Sequence, residues 1–150
     1  MKKFILGLFL ILGAMSFAAP KFVDMAKVKN AGYVIKNERE DILTMAISDD
    51  DSAIIISFST ANISSKEISD LLKSNALRNS ENFIATLDNN RAYVNEFEAQ
   101  GFYSYMIVPK KEKVKNQHTY ATYVSSKKLS KNDLSKITDA ILDEAESYIK

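Results

Sequence analysis

The stretch ILTMAIS-DDDS-AIIISFST, residues 42–60, decides the fold. In residues 42–48 the apolar Leu43, Met45 and Ile47 alternate with polar or smaller residues, which is the two-residue period of a half-buried strand. The aspartates and serine of residues 49–52 are typical of a tight turn. Residues 53–60 are rich in β-branched side chains, which favour a second strand. The stretch therefore predicts a β-hairpin.

Similar patterns recur on both sides of this hairpin. Further strands are predicted at residues 33–35, 83–87, 92–98, 102–108 and 119–125. A short helix is predicted within residues 21–31 and ended by Gly32. Ser64 and Glu67 form a capping box at the start of a second helix, whose apolar stripe is Ile68, Leu71, Leu72 and Ala76. Ser130 caps the last helix.

The element order is (α)βββαββββα. Short polar turns join consecutive strands, which predicts hairpins and a mostly antiparallel sheet of about six or seven strands. Two main helices are expected to pack on this sheet, and the fold class is α+β. No linker or low-complexity tract interrupts residues 19–150, which we interpret as a single globular domain.

The second half of the chain contains Asn90-Arg91-Ala92 entering a strand, Gly101 before a Tyr-rich strand, a strand at residues 119–125 and a long final helix. In this order of elements it resembles the PsbP/Mog1-like group of small periplasmic and lumenal proteins. The resemblance implies an antiparallel sheet between helices and a non-enzymatic accessory or binding role. It matches no diagnostic motif, so no functional residue is carried over.

The first 18 residues have the pattern of a secretory signal peptide. Two lysines precede the apolar run FILGLFLIL, and small residues lead to a predicted cleavage site before Ala19. The alternative, a transmembrane anchor, requires about 20 apolar residues, more than this run offers. We therefore expect a bacterial protein that is periplasmic or secreted and does not span the membrane after cleavage. Removal of residues 1–18 changes the net charge from +1 to −1.

Composition excludes several kinds of site. The chain has no cysteine, which excludes disulfides, thiolate zinc sites and a catalytic thiol. Its near-neutral charge disfavours a nucleic-acid binder. No glycine-rich phosphate-binding motif is present. We expect no cofactor and no metal.

Three candidate chemistries remain, each with a simpler interpretation. His118 is the chain's single histidine, and an edge-strand or solvated histidine is more common than a catalytic one without a nucleophile motif. Glu96 and Glu98 share a strand face, as paired acids of a glycan hydrolase would, but solvent-facing strands show the same pattern. The aspartates of residues 49–51 lack the spacing of a calcium loop, so a turn is preferred.

Charge is unevenly distributed along the sequence. Residues 38–51 carry six acids and one arginine, whereas residues 110–128 carry six lysines and one glutamate. We expect two opposed patches, which can steer a partner of opposite sign. The simpler interpretation is that solvated loops collect charges.

Aromatic residues flank the lysine-rich loop, and tyrosine is favoured in binding surfaces because it combines a large area with a polar tip. We expect a Tyr-rich sheet face and this loop to bind a protein or an anionic envelope component. The candidate binding residues are Tyr103, Tyr105, Lys110, Lys111, Lys113, Lys115, His118 and Tyr120.

The leading hypothesis is thus an exported, non-catalytic binding or accessory protein of the bacterial cell envelope, with no catalytic residues. One alternative is a small cell-wall glycan hydrolase that uses the paired carboxylates Glu96 and Glu98. Another is an inhibitor or immunity-type protein, which would present a free edge strand or a protruding loop with rigid aromatics.

Overall fold

A computed structural model describes residues 18–150 of the chain. The predicted signal peptide, apart from Ala18, lies outside the described residues. Within the described part no helix is long and apolar enough to cross a bilayer.

The described chain forms three helices and seven strands in the predicted order. The helices are α1 (Met25–Asn30), α2 (Ser65–Arg78) and α3 (Lys131–Ser147). The strands are β1 (Val34–Arg39), β2 (Ile42–Ser48), β3 (Ser52–Thr60), β4 (Asn82–Leu87), β5 (Ala92–Ala99), β6 (Phe102–Pro109) and β7 (Gln117–Ser125). The α+β prediction is confirmed.

All seven strands join one antiparallel sheet in the order β1-β2-β3-β7-β6-β5-β4. The hairpin predicted at residues 42–60 forms, with Met45 opposite Ile56. The Asp49 carboxylate accepts the backbone N–H groups of Asp51 and Ser52 in its turn, at 2.9 and 2.6 Å. The last strand then pairs with β3 along its whole length, from Ser52–Ser125 to Thr60–Gln117. This pairing joins the two halves of the chain.

Each face of the sheet carries helices. The core face, which includes Met45, Ile56 and Ile107, packs under α1 and α3. The opposite face, here the α2 face, is contacted by α2 at β4, β5 and β6. On that face Asn95 donates from its amide to the Ser69 hydroxyl of α2, at 3.0 Å. The helices therefore lie on both sides of the sheet.

Local capping signals set the helix ends as predicted. The Ser64–Glu67 capping box is present, and Ser130 accepts from the N–H of Asp133. The first helix starts later than expected because the Asp24 side chain caps it. The predicted stripe of α2 is wrong at Leu71, which is 55% exposed. The helix turns Ser65 and Ser69 inward instead, because Ser69 meets Asn95.

Two tyrosines clasp the C-terminal end of α3. The hydroxyls of Tyr33 and Tyr148 both donate to Glu144 Oε1, at 2.9 and 2.8 Å, and their rings meet edge to face. Burial, and then the hydrogen bond to Glu144, raise the pKa of Tyr148 to about 12. The same causes raise the pKa of Tyr33. The neutral phenols are thus the forms that stabilise the fold.

This clasp predicts a loss of stability in alkali. An unfolded tyrosine ionises near pH 10, whereas folded Tyr148 keeps its proton to about pH 12. Its contribution is complete below pH 10 and is lost as pH rises toward 12. We expect Tyr148→Phe to lower the free energy of unfolding by about 1–2 kcal/mol at pH 8. Urea unfolding at pH 8 to 11.5 should show this difference shrinking, and a constant difference would contradict the assignment.

Candidate functional site

The lysine-rich segment forms the connection between β6 and β7, and we call residues 110–116 the basic loop. It lies at the end of the sheet where β3 also finishes, because the backbone N–H of Ala61 donates to the carbonyl of Asn116 at 3.1 Å. The N–H of Lys110 donates to the Arg91 carbonyl at 2.8 Å, which ties the loop to the β4–β5 turn. The loop is therefore anchored on both sides.

Glu112 and His118 support the basic loop on its buried side. Glu112 Oε2 accepts the N–H of Asn116 at 3.2 Å, and its Oε1 lies 3.5 Å from His118 Nδ1. The other imidazole nitrogen, Nε2, lies 3.0 Å from the Ala61 carbonyl, which can only accept, so Nε2 donates. His118 is 2% exposed. It is a positioning residue beneath the loop, and its predicted place in an exposed binding surface is wrong.

The four lysines of the basic loop are exposed but not equivalent. Lys113 pairs with Glu146 of α3 at 3.0 Å. Among the described residues, Lys110, Lys111 and Lys115 have no carboxylate partner within ion-pair distance. These three ammonium groups give the basic loop its positive charge.

Tyr93, which is not among the binding residues predicted from the sequence, completes the basic surface. Lys110 Nζ lies 5.7 Å and Lys66 Nζ 6.0 Å from the centre of the Tyr93 ring, within cation–π range. Lys66 belongs to the first turn of α2 and Tyr93 to the α2 face of β5. Only the topology brings these distant segments together, and no local sequence signal marks them.

The prediction of one acidic patch and one basic patch is wrong, because the residues of each are divided between the two ends of the sheet. The carbonyl of Asp41, in the β1–β2 turn, accepts from Thr60 at the basic-loop end. The turn at residues 49–51 lies at the other end, where the Asp51 carbonyl accepts from Ser126, next to Lys127. Antiparallel hairpins alternate their turns between the two ends, so a run of acids along the sequence cannot remain one patch.

The three candidate tyrosines do not form one surface. Tyr103 and Tyr105 lie on the core face, whereas Tyr120 lies on the α2 face opposite Ser57. Tyr105 is completely buried, which corrects its predicted role. Tyr120 is half-buried; burial raises its pKa, although hydrogen bonds with Ser57 and Ser59 oppose that shift. A Tyr-rich platform is therefore absent from the described residues.

Tyr105 instead belongs to a buried network around Glu96. Its hydroxyl accepts the N–H of Leu129 at 2.8 Å and donates to Glu96 Oε1 at 3.4 Å. Lys128 Nζ lies 3.4 Å from the same carboxylate oxygen. Desolvation by burial raises the pKa of Tyr105. The network fastens the segment between β7 and α3 to the core face.

Glu98 shares the face of Glu96 but differs in its surroundings. Its carboxylate accepts from the Gly101 N–H at 2.9 Å and from Asn82 at 3.3 Å, and these bonds lower its pKa. A general acid of a glycan hydrolase requires a raised pKa. Glu98 thus has the opposite electrostatic character to the general acid that the hydrolase alternative needs.

The basic loop borders only a small crevice. The space between the loop, Ser65 and the end of α3 has a volume of about 30 Å³, room for about one water molecule. Within residues 18–150 no group of three or more histidine or acidic side chains is arranged to hold a metal ion. The geometry therefore favours contact across a surface over enclosure of a ligand at this end of the sheet.

Comparison with known proteins gave no match, whether to family models, to curated proteins or to solved structures. The resemblance to the PsbP/Mog1-like group stays a prediction.

The Tyr105 network predicts a stability difference between two tyrosines on one face. Tyr105→Phe leaves the Leu129 N–H without its acceptor, so we expect the free energy of unfolding to fall by about 1–2 kcal/mol. Tyr103→Phe is the matched control, because the Tyr103 hydroxyl makes no hydrogen bond to the described residues, and it should change little. Chemical denaturation of both variants measures the difference. Equal effects would show that Tyr105 contributes only its ring.

Proposed function

We propose that this chain is an exported, non-catalytic binding or accessory protein of the bacterial cell envelope. The basic loop is its contact surface, and the partner is a protein with an acidic surface or an anionic envelope component. The observation that carries the proposal is the group of three exposed lysines, Lys110, Lys111 and Lys115, on a loop whose backbone is held in place.

Preorganisation supports binding by this loop. The Glu112 carboxylate faces inward to Asn116 and His118, so it does not neutralise the outer lysines. Hydrogen bonds from Ala61 and Lys110 hold both ends of the loop. A loop that is already ordered loses less conformational entropy on binding. The lysines would therefore present their charge to a partner at small entropic cost.

The Tyr93 ring adds contact area to the charge. Lys66 and Lys110 flank the ring. Lys111, which follows Lys110 in the chain, lines the neighbouring crevice. Tyrosine is enriched at protein interfaces, and the lysines around it can steer an acidic partner toward the ring. Export rests on the predicted signal peptide and belongs to the same proposal.

Charge reversal tests the proposal. In Lys110→Glu/Lys111→Glu/Lys115→Glu the net charge changes by six units, and we expect binding to anionic vesicles containing phosphatidylglycerol, or to an acidic polypeptide such as polyglutamate, to fall at least tenfold. Lys29→Glu/Lys127→Glu/Lys136→Glu makes the same change at exposed lysines outside the loop and should retain most of the binding. Co-sedimentation and calorimetry at two salt concentrations measure both variants. Equal losses would show that net charge alone, not the loop, governs binding.

A further inference from the structure

The two edges of the sheet are protected to different degrees. Edge strand β1 carries Lys36, Glu38 and Arg39, and charged side chains are a common device against unwanted strand pairing. Edge strand β4, with the sequence NFIATL, has no charged residue. It exposes Phe83 and Ile84 to 37% and 39%. Both edges contain an irregularity in register, so a bulge does not account for the difference.

A cavity of about 330 Å³ lies beside edge strand β4. It is bounded by the end of β4, the β4–β5 turn and the first two turns of α3. The side chains of Leu87, Val94 and Leu134 give it apolar walls, and the volume is within the range of known ligand pockets. Lys131 and Asp88 also line it and are exposed.

The most buried polar side chain of the cavity lacks a hydrogen bond. Thr138 lines the cavity and is 0% exposed. Its Oγ1 is the one buried side-chain polar atom within residues 18–150 that has no hydrogen-bond partner. A buried hydroxyl without a partner is costly. Threonine in a helix populates two χ1 rotamers, so this hydroxyl can turn to meet a group that enters the cavity.

Charge disfavours a second copy of this chain on the edge. Glu81 precedes β4 and Asp88 follows it. Antiparallel pairing of two β4 strands about their centre would bring the glutamate of one copy to the aspartate of the other at both ends. Like charges directly opposite each other are destabilising. The edge therefore suits a chain of different sequence.

We propose that β4 binds an extended peptide segment of another protein as an eighth strand, with one tyrosine side chain of that segment in the cavity. Backbone hydrogen bonds to a free edge provide affinity, and pockets for alternate side chains provide specificity. A tyrosine has the apolar body that Leu87, Val94 and Leu134 would surround and the hydroxyl that Thr138 needs. A free edge strand is also what the inhibitor-type alternative required. The site is separate from the basic loop and does not rest on the proposed function.

The test uses three capped peptides that differ at one position, acetyl-Ser-Val-Thr-Tyr-Thr-Val-Lys-amide and its counterparts with phenylalanine or alanine in place of tyrosine. Calorimetry measures affinity, and amide chemical shifts locate the bound peptide. We expect the tyrosine peptide to bind about tenfold more tightly than the phenylalanine peptide, which is the factor for one good hydrogen bond. The alanine peptide should bind weakest, and shifts should concentrate in β4 and the start of α3.

Three variants distinguish the contribution of edge strand β4 to peptide binding from the contribution of the cavity. Ile84→Lys places a charge on β4 and should abolish binding, whereas Val34→Lys places the same charge on exposed β1 and should leave it unchanged. Thr138→Val should keep binding, remove the preference for tyrosine over phenylalanine and raise stability. Circular dichroism checks that each variant is folded.

Several results would overturn the proposal. These are no binding of the tyrosine peptide, equal affinity for all three peptides, or shifts confined to β1. Concentration-dependent dimerisation that Ile84→Lys removes would also overturn it, because a second copy would then occupy the edge.

Discussion

The pairing of β3 with β7 is the interaction on which the rest of the structure depends. It is the ladder that joins the N-terminal strands β1 to β3 with the C-terminal strands β4 to β7. Its register places His118 opposite Ser59 and therefore beside Ala61. The basic loop, its anchor to the end of β3 and its closeness to the first turn of α2 all follow from this register.

The same pairing determines which charged residues lie at the same end of the sheet. Consecutive antiparallel strands send their turns to alternate ends, so the basic loop shares one end of the sheet with the β1–β2 turn. The aspartate turn at residues 49–51 lies at the far end with Lys127. Charge that is continuous in sequence is thus divided in space. At the basic-loop end the acidic β1–β2 turn therefore lies with three lysines that have no carboxylate partner and a tyrosine between two cations.

Local signals predicted most of the elements, and long-range pairing determined the site. The alternation in residues 42–48, the Ser64 capping box and the Ser130 cap each act within a few residues, and each was confirmed. The burial of Tyr105 and His118 was not predictable, because it depends on Leu129 and Ala61, which are distant in sequence. Leu71 is exposed because a polar contact, Ser69 to Asn95, orients α2. The cavity beside β4 likewise arises between segments about 50 residues apart.

A paramagnetic label on the basic loop tests the β3–β7 pairing most directly. The chain has no cysteine, so Lys115→Cys provides a unique attachment site. The β3–β7 pairing predicts strong broadening of the amide signals of Asp41, Ala61 and Ser65. The signals of residues 49–51 should stay sharp, because they lie about eight strand residues, roughly 25 Å, further along the sheet. Broadening of residues 49–51 with sharp signals at Asp41 and Ala61 would contradict the pairing and the surface that depends on it.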